Sequence, residues 1–178
     1  MRKIKIQDKE FKISIPYATI KQAVGDVATQ INDDFADQEV LFICVLNGSF
    51  MFAADLMKRI RIVNQLTFVK LSSYSGDFST GVTKQIIGLN ENISGRNVIV
   101  IEDIVETGLT LDNIVNELKS LKPASLKIAT LLFKPQAYHR NIKIDYFGLE
   151  IPNDFIVGYG LDYNGYGRNY EDIYSLVK

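Results

Sequence analysis

The segment VIVIEDIVETGLTL, residues 98–111, constrains the fold more than any other part of the sequence. Its first residues, Val98 to Ile101, are all branched and apolar, as in a strand that is covered on both faces. Two acids, Glu102 and Asp103, follow directly, and a loop containing Thr and Gly leads into a helix. That helix is marked by one apolar stripe: Leu111, Ile114, Val115, Leu118 and Leu121. A strand, a loop and a helix in this order are typical of a parallel α/β sheet.

The rest of the chain alternates strands and helices in the same way. The spacing of apolar residues predicts helices at 17–35 and 51–60, and strands at 40–46, 66–72, 125–133 and 155–160. The Lys-rich N-terminus predicts a hairpin with a solvated edge. The fold class is therefore α/β, with a mainly parallel twisted sheet flanked by helices. We expect one domain spanning residues 1–178.

Composition excludes several classes of protein. A net charge of −1 argues against a broad nucleic-acid interface, so no nucleic-acid partner is expected. No apolar stretch is long enough to span a bilayer, and the N-terminus lacks the apolar segment of a signal peptide. The only cysteine, Cys44, cannot form an internal disulfide, which suits a reducing compartment. We expect a cytoplasmic protein without a membrane partner.

The loop from Ile104 to Thr110 has the features of an anion site. Free amides and the dipole at the N-terminus of the following helix favour a negative charge, and Gly108 allows close approach of the backbone. Thr107 and Thr110 add hydroxyl donors, which suits a phosphate monoester. The GxxxxGK[ST] pattern of a Walker loop is absent. The neighbouring pair Glu102 and Asp103 would repel phosphate but accept hydrogen bonds from a diol, so the segment suggests a ribose 5-phosphate. Taken alone, the acid pair would also suit solvated charges at a strand end.

Three unusual segments follow predicted strands directly: residues 47–49, 102–108 and 134–136. In open α/β sheets, ligands bind outside the carboxyl ends of the strands. We therefore expect these segments to converge at one edge of the sheet.

Residues 98–111 also resemble the phosphoribosyl-diphosphate motif of type I phosphoribosyltransferases. The segments VLNGSFMFAADL, SSYSGDFSTG, LLFKPQA and IPNDFIVGYGLDYNGYGRN resemble, in this order, loops of the hypoxanthine-guanine phosphoribosyltransferases. The resemblance runs from about Val40 to Asn169. It implies a type I phosphoribosyltransferase fold with a small hood and a mobile lid at about residues 73–81. It also implies a purine salvage enzyme that transfers the 5-phosphoribosyl group from phosphoribosyl diphosphate to N9 of hypoxanthine, guanine or both. The products are IMP or GMP and diphosphate.

The resemblance assigns roles to residues of the central segment. Glu102 and Asp103 match the ribose-diol clamp, and Thr107, Gly108, Leu109 and Thr110 match the 5-phosphate loop. Glu106 matches the general base near purine N7. The family usually has Asp there, so the longer Glu is a departure from its pattern.

The purine and diphosphate ends are assigned in the same way. Lys134 matches the donor to purine O6, Phe155 the ring that stacks on the base, and Ile156 a backbone contact to the base edge. Asp162 matches a ligand of Mg²⁺, the expected cofactor, with Glu102 and Asp103 as further metal ligands. Arg168, Asn47 and Gly48 match diphosphate contacts, and Asn47 stands where some family members have Lys. Ser73 and Tyr74 match the lid.

Two alternatives remain open from the sequence. One is a regulator that binds nucleic acid in response to phosphoribosyl diphosphate. The other is an enzyme of the same family that prefers xanthine. The resemblance further implies a homodimer or homotetramer.

Overall fold

The computed structural model describes residues 3–74 and 83–177. Its elements, in chain order, are β1 (Lys3–Ile6), β2 (Lys9–Ile15), α1 (Tyr17–Asp34), β3 (Val40–Leu46), α2 (Phe50–Met57), β4 (Asn64–Tyr74), β5 (Thr83–Ile87), β6 (Asn97–Val105), α3 (Leu109–Ser120), β7 (Ser125–Phe133), β8 (Tyr146–Glu150), β9 (Ile156–Val157) and β10 (Ile173–Leu176).

The larger sheet has the strand order β5-β4-β3-β6-β7-β8. The strands from β4 to β8 in this order run parallel, and β5 pairs with β4 antiparallel at the edge. The predicted α/β class with a mainly parallel sheet is confirmed.

Helices cover both faces of this sheet, which explains why β3 is apolar throughout. Its residues Val40, Phe42 and Cys44 pack with α1 and α2 in one core cluster. The alternate residues Leu41, Ile43 and Val45 pack with α3 in a second cluster. Because successive side chains of a strand face opposite sides, a strand between two helical layers needs apolar residues at every position.

A second, smaller sheet has the order β1-β2-β10-β9. The N-terminal hairpin is present, and of its two strands β1 lies at an edge of the sheet, whereas β2 pairs with β10. The strand predicted at 155–160 is shorter, Ile156–Val157, and belongs to this sheet. It ends because Gly158, Tyr159 and Gly160 all have positive φ, which extended strands do not allow.

Strand β6 runs further than the sequence pattern indicated. The predicted strand ended at Ile101, whereas the observed strand continues to Val105 because its pairing with β7 extends to Val105↔Phe133. Glu102 and Asp103 therefore lie within the strand, and the loop before α3 is only residues 106–108.

The predicted lid lies mostly outside the described residues. Only the backbones of Ser73 and Tyr74 are described, at the end of β4, where they pair with Lys84 and Thr83. The single-domain assignment and the lid stay predictions. Within residues 3–74 and 83–177, no helix combines the length and apolar character needed to cross a membrane.

Cys44 is expected to be inert in the folded protein. Its side chain has no exposed surface, and burial raises the pKa of its thiol to about 11. Because the thiolate is the reactive species, a chromogenic disulfide reagent at pH 8 should detect no reactive thiol in the native protein. In guanidinium the same reagent should report one thiol per chain. Rapid reaction of the native protein would contradict this burial.

Candidate active site

The carboxyl ends of β3, β6 and β7 carry a cluster of polar residues. The loop after β3 lies against the side chain of Asp103: a Cβ added to Gly48 would fall 1.5 Å from Oδ2 of Asp103. After β7, the Nζ of Lys134 hydrogen-bonds to Oε1 of Glu106. The structure thus brings together residues 47–49, 102–108 and 134–136, the three segments that were predicted to converge at this edge.

Glu102 and Asp103 are acids in a buried setting. Glu102 is 6% exposed, and burial, followed by the charge of Asp103, raises its pKa well above the usual value. Burial also raises the pKa of Asp103 to about 6, although the Ile104 amide, 2.9 Å from Oδ1, and the charge of Arg168 oppose the shift. A buried acid and a partly buried one with few hydrogen-bond donors favour ligands that bring hydroxyl donors or positive charge.

The loop between β6 and α3 forms a cleft of about 260 Å³, lined by residues 102–111. Gly108 begins the helix with φ of 79°, a conformation that suits glycine. A Cβ there would lie 2.5 Å from the Tyr138 ring. The first intrahelical bond is from the Asp112 amide to the Gly108 carbonyl, 2.9 Å, so the amides of Leu109, Thr110 and Leu111 have no helical acceptor. The Thr107 hydroxyl oxygen lies 3.4 Å from the Leu109 amide. This cleft can hold a phosphate group.

Lys134 is a buried cation at the end of β7. It is 3% exposed, and its Nζ donates to Glu106 and, at 2.9 Å, to the carbonyl of Asp154. An ammonium group has three donors, so one remains for a further acceptor. The Glu106 side chain is 48% exposed and reaches the cleft from the loop. A buried donor next to an accessible carboxylate can bind a ring with a carbonyl and an adjacent N–H.

Phe155 presents a partly exposed ring directly after Asp154, whose carbonyl accepts a hydrogen bond from Lys134. The ring is 45% exposed and packs edge-on against Tyr163 at 5.8 Å between centroids, with Phe11 behind it at 6.2 Å. The Nζ of Lys9 lies 4.5 Å above the Tyr163 ring. The following residue, Ile156, is 8% exposed and pairs with Ser175 in the small sheet. This packing fixes the Phe155 ring and leaves part of it accessible.

The loop after β3 has an unusual backbone. The Leu46–Asn47 peptide bond is cis, a feature that the sequence did not determine. The Ser49 hydroxyl donates to the Val45 carbonyl and lies 3.0 Å from Sγ of Cys44. These contacts hold the loop over the end of the sheet.

Asp162 and Arg168 lie in the turns after β9. Nη2 of Arg168 is 2.6 Å from Oδ1 of Asp162, and the Gly165 amide donates to Oδ2 at 2.6 Å. Within residues 3–74 and 83–177, no group of three or more His, Cys, Asp or Glu side chains could hold a metal ion. Asp162 is therefore not gathered with Glu102 and Asp103 into a cage of protein ligands, although its charge acts on Asp103.

Two residues of this region, Ser49 and Gly160, make contacts that the sequence did not indicate. Ser49 anchors the loop after β3, and nothing in its local pattern indicates that contact. Gly160 abuts the same loop, since an added Cβ would lie 2.0 Å from the Gly48 carbonyl oxygen. The Gly-Tyr-Gly sequence around it could have indicated an irregular backbone.

Comparisons with known proteins agree with this geometry. Residues 16–164 match the phosphoribosyl transferase domain family. The chain is 40% identical over 161 residues to the hypoxanthine-guanine phosphoribosyltransferase of Mycobacterium tuberculosis, covering 86% of this chain and 78% of that protein. It is 36% identical over 155 residues to the hypoxanthine phosphoribosyltransferase of Escherichia coli, covering 85% and 87%. A crystal structure of a hypoxanthine-guanine phosphoribosyltransferase from Bacillus anthracis, with HEPES in its active site, matches with a TM-score of 0.85 at 38% identity. That match covers 93% of this chain and 98% of the other.

Proposed function

This chain belongs to the hypoxanthine-guanine phosphoribosyltransferase family of purine salvage enzymes, and we propose that its cleft at the carboxyl ends of β3, β6 and β7 is where it makes nucleotides. The substrates are phosphoribosyl diphosphate and hypoxanthine or guanine, and the products are IMP or GMP and diphosphate. The observation that carries this assignment is the acid pair near the end of β6, with Glu102 buried and Asp103 partly buried, shortly before the loop that precedes α3. One strand–loop–helix unit thus carries a candidate diol site and a candidate phosphate site, the two parts that a ribose 5-phosphate requires.

The ribose end follows from the charges in this unit. Diol hydroxyls would donate to Glu102 and Asp103, and the 5-phosphate would accept from the amides of Leu109 and Thr110 and from the hydroxyls of Thr107 and Thr110. As diphosphate leaves C1, the ribose becomes cationic. The two carboxylates would stabilise that charge in a setting with little water.

The purine end follows from Lys134 and Glu106. The free donor of Lys134 would bind O6, which favours oxopurines, because an exocyclic amine would present donors to a donor. Glu106 would accept the proton from N7 while N9 forms the new bond to C1. Backbone groups around Ile156 would contact the base edge.

The diphosphate end is assigned to Asn47, Gly48 and Arg168. The planar guanidinium of Arg168 suits phosphate oxygens. The carboxylates at this end fit Mg²⁺ in chemistry, since they are hard oxygen ligands, and the charge of Asp162 raises the pKa of the partly buried Asp103. Mg²⁺ commonly takes one or two carboxylates and completes its shell with phosphates and water. Asp162 would hold it, with Glu102 and Asp103 nearby, and when bound it would neutralise charge on the leaving diphosphate.

Phe155 gives a test of the base site. Stacking on a nucleobase contributes about 1–3 kcal/mol, so Phe155→Ala should raise KM for hypoxanthine by roughly 5- to 150-fold. KM for phosphoribosyl diphosphate should change by less than about twofold, since the ring lies at the purine end. Initial-rate kinetics measure both constants. Phe68→Ala is the control, because Phe68 has nearly the same exposure, 46%, but lies on β4. An equal effect of both substitutions would contradict the assignment of Phe155.

The function itself is tested by mixing the protein with Mg²⁺, phosphoribosyl diphosphate and one base at a time. Hypoxanthine, guanine, xanthine and adenine are compared by initial rate. Formation of IMP or GMP is the expected result, with adenine the poorest substrate. No turnover with any 6-oxopurine would overturn the proposal. The two alternatives, a nucleic-acid-binding regulator and a xanthine-preferring enzyme, receive no support from the named relatives.

The remaining proposals concern the lid, the domain organisation, the location in the cell and the oligomeric state. Residues 73–81, including Ser73 and Tyr74, would close over the reacting groups and exclude water. One domain spanning 1–178 carries the whole reaction. The single buried thiol supports a cytoplasmic location, and the family supports a homodimer or homotetramer. Equilibrium sedimentation distinguishes the last two.

A further inference from the structure

Asp55 of α2 is a partly buried carboxylate without a role in the proposed chemistry. Its side chain is 15% exposed and accepts three hydrogen bonds. Oδ2 accepts from the hydroxyl of Tyr159 at 2.7 Å and from that of Tyr17 at 3.3 Å, and Oδ1 accepts from Nζ of Lys58 at 2.8 Å. The carboxylate thus joins α2 to the start of α1 and to the turn after β9.

The charge states needed for these bonds are stable at neutral pH. Burial raises the pKa of Asp55, but hydrogen bonds from Lys58, Tyr159 and Tyr17 outweigh it and leave the pKa below the ordinary value. Burial raises the pKa of Tyr159 far above its usual range, so its hydroxyl stays protonated and donates.

Tyr159 is next to Gly160, which is hydrogen-bonded to Arg168, a residue assigned to diphosphate. The Tyr159 amide donates to the Tyr170 carbonyl at 2.7 Å, and the Gly160 amide donates to the Arg168 carbonyl at 2.9 Å. Nη1 of Arg168 donates back to the Gly160 carbonyl at 2.6 Å. Fixing Tyr159 therefore fixes the backbone and the guanidinium of Arg168.

Asp55 lies on α2, the helix that follows the other segment assigned to diphosphate, the loop after β3. Helix α2 begins at Phe50, immediately after the loop that contains Gly48. The two segments meet where Gly160 abuts the Gly48 carbonyl oxygen, since an added Cβ would lie 2.0 Å from it. The loop before α2 and the turn after β9 are therefore joined twice, by the contact between Gly48 and Gly160 and by the Asp55–Tyr159 hydrogen bond.

We propose that Asp55 and Tyr159 are positioning residues that hold the loop after β3 and Arg168 at the separation that diphosphate requires. The inference rests on the proposed function, because that function assigns Gly48 and Arg168 to diphosphate. Neither residue lines the cleft between β6 and α3, so their loss should weaken diphosphate recognition specifically and leave the purine and 5-phosphate contacts intact.

The test removes one hydroxyl. Tyr159→Phe should raise KM for phosphoribosyl diphosphate and Kd for Mg²⁺-diphosphate by roughly tenfold, as expected for losing a hydrogen bond to a charged group. KM for hypoxanthine and Kd for IMP, which lacks the diphosphate, should stay within about twofold. Asp55→Asn keeps an oxygen acceptor for Tyr159 and should show a smaller effect in the same direction. Asp55→Asn also provides the test if Tyr159→Phe does not fold.

Tyr146→Phe is the matched control. Tyr146 is buried, and its hydroxyl donates to Oδ2 of Asp34 at 2.6 Å, linking β8 to the end of α1 away from the cleft. This variant should lose thermal stability but keep all four constants near those of wild type.

Unchanged diphosphate affinity in Tyr159→Phe, or an equal loss of IMP affinity, would overturn the positioning role. So would a similar kinetic effect of Tyr146→Phe. Calorimetric titration with Mg²⁺-diphosphate and IMP needs no turnover, so it tests the inference separately from the catalytic assay. An inactive wild type would overturn the proposed function alone.

Discussion

Glu106→Gln should lower kcat by about 10²- to 10⁴-fold, the usual contribution of a general base. The amide keeps an oxygen that Lys134 can contact, but it does not accept the N7 proton. KM for phosphoribosyl diphosphate should remain close to that of wild type, since Glu106 lies at the purine end. Steady-state kinetics with hypoxanthine as the varied base give both constants.

Glu106→Asp is the conservative partner of this experiment. It retains the carboxylate on a stem one methylene shorter and restores the residue usual in the family, so we expect kcat within about tenfold of wild type. Thermal unfolding of both variants excludes loss of fold as the cause. A Gln variant as active as the wild type would rule out Glu106 as the base.

Gly48→Ala should reduce kcat/KM for phosphoribosyl diphosphate by about 100-fold. The added methyl would lie 1.5 Å from Oδ2 and 2.5 Å from Cγ of Asp103, so the loop or the carboxylate must move by more than an ångström. The Ile104 amide donates to Oδ1 of Asp103 at 2.9 Å, and a shift of the carboxylate would disturb this hydrogen bond. Overpacking should also lower the free energy of unfolding by about 1–3 kcal/mol.

Gly25→Ala provides the same chemical change where space is available. A Cβ at Gly25, inside α1, would have its nearest neighbour, Nε of Arg59, at 4.0 Å. Alanine is the better helix former, so stability should rise by about 0.5–1 kcal/mol without a kinetic change. Wild-type kinetics in Gly48→Ala would show that the contact with Asp103 is not required.

The fold was predictable where the pattern is local. Strands β3 and β7 have the bounds that the sequence predicted, because continuous apolar runs between turn residues indicate strands covered on both faces. The limits of β6 and β9 were wrong. Pairing with β7 extends β6 past its polar residues, and positive φ values stop β9 early. Neither cause is visible in hydrophobic periodicity.

The sequence by itself determined the alternation of strands and helices and the order of acids, loop and helix that suggests a ribose 5-phosphate. These features depend on residues within a few positions of each other, and hydrophobic spacing and glycine act at that range. Only the tertiary structure decided that Glu102 is buried and Asp103 partly buried, both with raised pKa values, and that Gly48 lies against Asp103. It alone joined Asp55 to Tyr159, 104 positions away. Burial and long-range contact depend on how all layers pack together, so no local pattern specifies them.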